Sequence, residues 1–336
     1  MSKLLNCLLN KDSSYVPIWF MRQAGRYLPE FRNLRYNNPD FLKLCLNSDL
    51  ATEITLQPIK RFNLDAAIIF SDILVVPHAL GQSIEFKKQG GPRCLNFNIE
   101  KFLEIKDKDF LSTIEPTYKA IKKTRKNLHE DKSLIAFIGA PWTLTTYLLN
   151  LKDHINSENK VNIKNKKEMS LVLKKLDKFL KLHIINQIEA GADIIQIFDS
   201  WAGLINEDDL NDFCYKPNSS IVDFCKDNKI PTICFPKGLK ANYKKFINLV
   251  KPSAISIDYE IDPRWAEKNL NNICIQGGMN PEILLKDEKI VLTETEKFLE
   301  IFKNIPYIFN LGHGILPETN PEIVKKIVDQ VKLKAK

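Results

Sequence analysis

The chain has 336 residues, 44% of them apolar, which is enough for a full core and long for one domain, although α/β barrels reach this size undivided. Its formal charge of +8 attracts anions, but the cationic residues are spread along helix-like segments and loops. No dense basic block interleaves with aromatics, so a nucleic-acid surface is not expected. No run of eighteen apolar residues exists and the apolar start, residues 1–10, has neither a basic region nor a small-residue cleavage site; neither a membrane span nor a signal peptide is expected.

The first apolar, strand-like run covers residues 16–21. It leads directly into Met21-Arg22-Gln23-Ala24-Gly25-Arg26-Tyr27-Leu28-Pro29-Glu30. Arg22 and Arg26 lie four apart around Gly25, and Arg32 and Arg35 follow. The chain has only eight arginines; its other 41 basic residues are lysines. A guanidinium grips a carboxylate through two hydrogen bonds and stays charged when dehydrated. Arginines gathered behind a strand therefore suit a substrate with several carboxylates, the alternative being a surface loop tied up in ion pairs.

Pro39 and Ser48-Asp49 read as helix starts before a second run at 66–70, which ends in Ser71-Asp72. A third run, 134–138, precedes Gly139-Ala140-Pro141-Trp142, with Tyr147 one turn on. Residues 151–168 are rich in lysine and asparagine and read as an exposed excursion. Leu173, Leu176, Leu180, Ile184 and Ile188 recur at helical spacing until Ala190-Gly191 ends the pattern. The remaining runs are 193–198, 231–235, 254–258, 273–276 and 307–311. They lead into Asp199-Ser200-Trp201, Pro236-Lys237, Asp258-Tyr259, Gly277-Gly278-Met279 and Gly312-His313-Gly314, and a helix over 323–331 closes the chain.

Eight continuous apolar runs alternating with helical segments predict a buried parallel sheet closed as a single (β/α)8 barrel over residues 1–336, with its cleft at the carboxyl ends of the strands. A doubly wound open sheet is the alternative, and no Gly-x-Gly-x-x-Gly follows the first run to support its dinucleotide-binding form. In a barrel the residues after each run share one rim. Asp72, set between apolar stretches, is costly to bury unpaired, which favours a site role over a helix cap or an ion pair. His313 ends a strand between two glycines; His78, His129, His154 and His183 read as structural or surface residues. Without the rim, Tyr147 and Ser200 would be ordinary helix-start or packing residues, and Trp142 and Trp201 are as much core as wall. Seven cysteines without a Cys-x-x-Cys pair fit a reducing cytoplasm.

Taken together, Met21 to Glu30, Ile69-Phe70-Ser71-Asp72-Ile73-Leu74, Gly139-Ala140-Pro141-Trp142-Thr143, Gly191-Ala192-Asp193 through Asp199-Ser200, Gln276-Gly277 and Asn310-Leu311-Gly312-His313-Gly314-Ile315 closely resemble the uroporphyrinogen decarboxylase family. The resemblance implies a cytoplasmic homodimer of one (β/α)8 barrel, with no cofactor and no metal. It also implies that the substrate is uroporphyrinogen III, whose four acetates become methyls. Carried over to this chain, Asp72 would stabilise a cationic pyrrole and Arg22 and Arg26 would hold carboxylates. Arg22 is also a candidate in proton delivery. Gln23, Ala24 and Gly25 would form the substrate loop, and Tyr147, Ser200 and His313 would contact substrate carboxylates. Two departures from the family pattern stand out: His78, where an acid is common, and the basic stretch Lys87-Lys88-Gln89-Gly90-Gly91-Pro92. Two rivals remain. One is a zinc methyltransferase on the same barrel, whose His-x-Cys is matched here by Thr232-Ile233-Cys234; the other is a non-enzymatic anion carrier.

Overall fold

Seven of the eight apolar runs form one parallel sheet. The computed structural model describes residues 1–86, 92–95 and 97–334. Its strands are β1 Ala66–Ile68, β2 Ser83–Phe86, β3 Pro92–Leu95, β4 Ser133–Gly139, β5 Ile194–Asp199, β6 Thr232–Pro236, β7 Ala254–Ile257, β8 Cys274–Gly277 and β9 Tyr307–Ile308. The large sheet runs β1-β4-β5-β6-β7-β8-β9, parallel throughout, with helices in the crossovers. β2 and β3 form an antiparallel hairpin that the apolar pattern does not reveal. The basic stretch at 87–91 lies outside the described residues.

The run at 16–21 departs from expectation, since it is no ladder strand and pairs through a single bridge, Ile18 with Phe309. Pro17 has no N–H to offer, and the Ile18 amide donates to the Asp65 carboxylate at 2.9 Å instead of to a strand carbonyl. The segment still touches both ends of the sheet. Phe309 N–H donates to Pro17 O at 2.8 Å on one side, and Asp65 N–H donates to Ile18 O at 2.9 Å on the other.

Burial separates into two layers along these strands. Ala66, Ile68, Ile135, Ile194, Ile233, Phe235, Ala254, Cys274 and Ile308 pack against one another, together with Trp19 and Met21. Side chains from every strand of one sheet meet in this way only on the concave face of a curl. The alternate residues, among them Ile18, Phe20, Ala67, Leu134, Ile195 and Ile275, pack outward, in one cluster with helices Ser48–Phe62, Asp107–Asn127 and Lys166–Glu189. Residues 18–21 thus alternate in and out as a strand does. Helix Lys3–Asn10 feeds Leu4, Cys7 and Leu8 into the inner layer. Trp19 Nε1 donates to Gln276 Oε1 at 2.9 Å, and Gln276 Nε2 donates to Gln196 Oε1 at 3.2 Å across the interior. All seven cysteines are free and buried. Among the described residues no helix is long and apolar enough to cross a membrane.

Trp19 is fully buried in that inner layer. Trp19→Ala is expected to lower stability by about 3–5 kcal/mol, read from the urea midpoint. A loss below about 1 kcal/mol would mean that residues 16–21 are a dispensable strap.

Candidate active site

The segment that touches both sheet ends then turns sharply. Gln23 N–H donates to Phe20 O at 3.0 Å. The fully buried Gln23 side chain closes the turn: its Oε1 accepts the Phe20 amide at 3.1 Å and its Nε2 donates to Ala66 O at 3.1 Å. On the other side Asn310 Oδ1 accepts Met21 N–H at 3.0 Å and Leu311 N–H at 2.8 Å, and Ile315 N–H donates to Met21 O at 3.0 Å. Arg22, held between these fixings, adopts φ +60°, a left-handed conformation that costs a non-glycine residue energy and persists only where neighbours impose it.

The strain aims the guanidinium. A Cβ on Gly314 would sit 2.4 Å from Arg22 Cδ and 2.6 Å from Cγ, so the arginine stem lies directly on that glycine. Arg22 is reached by solvent, yet enclosure by protein lowers its pKa against the opposing pull of Asp72 and Tyr147, with Arg26 lowering it further. Being both wetted and enclosed is what the wall of a cleft requires. Neither Arg22 nor Arg26 has a carboxylate within ion-pair distance among the described residues. Arg32 and Arg35 do not join them. Arg32 Nη1 donates to the carbonyls of Arg26 and Tyr27, both at 3.0 Å, and Arg35 bonds Asn38 O and lies over the Phe41 ring. They hold the loop together.

Asp72 follows β1. Its Oδ1 accepts Leu74 N–H at 2.8 Å just ahead of helix Val75–Ala79, while its other oxygen has no partner among the described residues. Burial raises its pKa, opposed by the Leu74 amide and Arg22. Asp72 is therefore a half-buried carboxylate anchored by the Leu74 amide just ahead of that helix, with its other oxygen free of partners among the described residues.

Tyr147 belongs to helix Pro141–Leu148, beyond β4. Burial raises its phenol pKa, the Trp201 side chain opposes this, and the charges of Asp72 and Arg22 also register there. Trp201 packs edge-on to it, the ring centroids 6.2 Å apart. Trp142 is core: fully buried, it donates Nε1–H to Trp201 O at 2.8 Å and so fixes the wall residue. Ser200, half-buried, precedes Trp201 behind the buried Asp199. Asp199 accepts from Thr143 Oγ1 at 2.7 Å and Asn218 Nδ2 at 3.0 Å, and burial outweighs these to push it up to about 6.

His313 accepts Gly314 N–H on Nδ1 at 2.8 Å, so the neutral ring carries its proton on Nε2. Burial, then Arg22 and Lys237, push its pKa down to about 4. His183 is buried with Nδ1 3.0 Å from Tyr118 Oη, and burial pushes it down to about 3; His129 pairs with Asp131 on the surface. Arg22 thus registers the charges of Asp72, Tyr147 and Arg26, and its own charge registers at Asp72, Tyr147 and His313. Gln23 does not reach that space with its side chain. The sequence places Gln23 in the expected substrate loop and Asn310 and Gly314 in the family-like segment around His313, but gives no sign that they aim Arg22.

A model of the family described as uroporphyrinogen decarboxylase matches residues 1–333. Uroporphyrinogen decarboxylase of Rickettsia bellii is 43% identical over 329 residues, covering 97% of this chain and 97% of that protein. The enzyme of Rickettsia felis is 39% identical over 339 residues, covering 99% and 97%. The chain belongs to the uroporphyrinogen decarboxylase family, and it is an enzyme of the decarboxylase class. A methyltransferase from Methanosarcina mazei superposes with a TM-score of 0.80 over 98% of this chain and 96% of that one; at 19% identity the likeness is one of fold.

Gly314→Ala is expected to keep the fold while displacing Arg22, raising the His313 pKa from about 4 toward its ordinary value because a cation moves away. A histidine NMR titration reads this directly, and an unmoved His313 would separate the two residues.

Proposed function

We propose that this chain removes carbon dioxide from the four acetate side chains of uroporphyrinogen III, giving coproporphyrinogen III without a cofactor. One observation carries the proposal: among the described residues a half-buried carboxylate, Asp72, keeps an oxygen free while feeling the charge of Arg22, and neither Arg22 nor Arg26 is ion-paired. The family membership supports it. We further infer that residues 16–21 serve as the eighth stave of a (β/α)8 barrel formed by the whole chain. Their contacts with both sheet ends and their in-and-out alternation support this.

The chemistry explains the residue types. The substrate carries eight carboxylates, so its cleft must supply cations. Decarboxylation leaves an electron pair on carbon that needs an acceptor. A proton added to the pyrrole ring makes the ring cationic. The bond from the acetate methylene to its carboxyl then breaks, and the released pair neutralises the ring. Protonation of the exocyclic methylene yields methyl as the ring proton departs, so each acetate consumes one proton net and releases one carbon dioxide. The free Asp72 oxygen accepts pyrrole N–H groups and stabilises the cation through a fixed opposite charge in a partly dehydrated site. Arg22 and Arg26 take carboxylates, and Tyr147, Ser200 and His313 Nε2–H offer further donors to them. Gln23 contributes by clamping the loop, and Ala24 and Gly25 leave room for backbone approach.

An anion carrier would gain nothing from a carboxylate set among its cations. A zinc methyltransferase needs a donor set that is not assembled here: Thr232 occupies the histidine position, Cys234 is buried, and among the described residues no group of three metal-ligating side chains occurs.

The test is anaerobic incubation with uroporphyrinogen III and a count of carboxyls on the product. Four carboxyls are expected, and eight would end the proposal. Asp72→Asn should keep the fold and lose roughly 10²–10³-fold in kcat, because a charge aimed at the cationic intermediate is removed. Arg26→Lys should raise KM about tenfold as the bidentate fork is lost, with kcat little changed. Unchanged binding would remove the clamp.

A further inference from the structure

Lys237 follows β6, the middle strand of the seven. In a curled sheet the middle strand faces its two ends, and the ends are where Arg22 sits. The lysine's backbone is firmly placed. Its N–H donates to Asp199 O at 3.1 Å, and its carbonyl accepts Gly203 N–H at 2.9 Å. The next residue, Gly238, has φ +81° and packs so tightly on Gly203 that a Cβ on Gly203 would lie 3.0 Å from Gly238 Cα. Gly238 N–H donates to Asp258 Oδ2 at 2.8 Å.

The side chain points across this frame. Lys237 Nζ lies over the Tyr259 ring, 5.9 Å from its centroid. The Tyr259 backbone in turn packs on Gly312, where a Cβ would come within 2.3 Å of its nitrogen. Next to Gly312 stands His313, whose titration registers both Lys237 and Arg22. Unlike paired surface lysines such as Lys119 with Glu115 or Lys181 with Asp177, Lys237 has no carboxylate within ion-pair distance among the described residues. A half-buried cation with no carboxylate partner among the described residues, joined through Tyr259 and the Gly312–Gly314 segment to a second unpaired cation, is arranged for an anion supplied from outside.

We propose that Lys237 is a substrate-binding residue that takes a carboxylate of the tetrapyrrole on the side of the cleft opposite Arg22. The inference rests on the proposed decarboxylase reading. A polyanion with carboxylates all around its rim cannot be neutralised from one edge, and Lys237 supplies the second edge. Because it contacts a carboxylate remote from the reacting ring, its contribution is to binding in ground and transition states alike.

The test compares wild type, Lys237→Met, Lys237→Arg and Lys119→Met in anaerobic steady-state assays with uroporphyrinogen III, alongside fluorescence titration with coproporphyrin as a binding probe. Lys119→Met removes the same unit of charge far from the cleft. The expected result for Lys237→Met is a KM about tenfold higher, with kcat changed less than about twofold and weaker coproporphyrin binding. Lys237→Arg should recover most of the loss, and Lys119→Met should match wild type. Lys237→Gln replaces the methionine variant if thermal melting shows that variant unfolded. A Lys237→Met enzyme no different from Lys119→Met overturns the anchor while leaving the decarboxylase reading intact. A wild type that leaves uroporphyrinogen unchanged overturns both.

Discussion

The seam between the two ends of the sheet is the constraint on which the site depends. Asp65, just before β1, accepts the Ile18 amide and donates its own amide to Ile18 O; Phe309, just after β9, donates to Pro17 O. Asp65 also holds the Tyr15 hydroxyl at 3.2 Å. These contacts fix residues 15–19 between strands that are far apart in the chain, and the turn at 20–23 inherits its position from them. Arg22 is then driven into a left-handed conformation over Gly314, with its charge felt at Asp72, Tyr147 and His313. If the seam is lost, the cationic and anionic halves of the site no longer share a frame.

On the proposed reading, the electrostatics suit an anionic ligand with a positively charged stage in its reaction. Asp72 is held above its ordinary pKa by burial, and Arg22 below its own by enclosure, each partly relieved by the other. Two opposite charges kept apart without a direct ion pair retain their capacity for outside partners. His313, lowered to about 4, stays neutral near pH 7 and offers a donor on Nε2 without adding a further cation. Under the proposed function the site would present cations for carboxylates, neutral donors, and one carboxylate for a developing positive charge.

Much of this was legible in the sequence because a buried parallel strand is a continuous apolar run, so the polar residue that ends it stands out. That pattern singles out Asp72, Ser200 and His313, which directly follow strand-like runs, and Tyr147, which lies in the helix after β4. Residues 16–21 carry the same apolar signature, yet their pairing is decided by Pro17 and by a carboxylate 47 positions away, neither of which a local pattern weighs. The β2–β3 hairpin is too short to show a period. Arg32 and Arg35 read like Arg22 and Arg26, and only coordinates show that their donors are spent on nearby carbonyls. Gln23 reads as a loop residue, but it is buried because its amide can satisfy both Phe20 and Ala66.

The central claim is that one carboxylate faces the pyrrole nitrogens while cations hold the rim. A crystal structure of the chain with bound coproporphyrinogen III tests it most directly. The account predicts the pyrrole N–H groups turned toward the free oxygen of Asp72 at hydrogen-bond distance, with propionates on the surrounding cations. A tetrapyrrole bound elsewhere, or seated with its nitrogens turned away from Asp72, would contradict it.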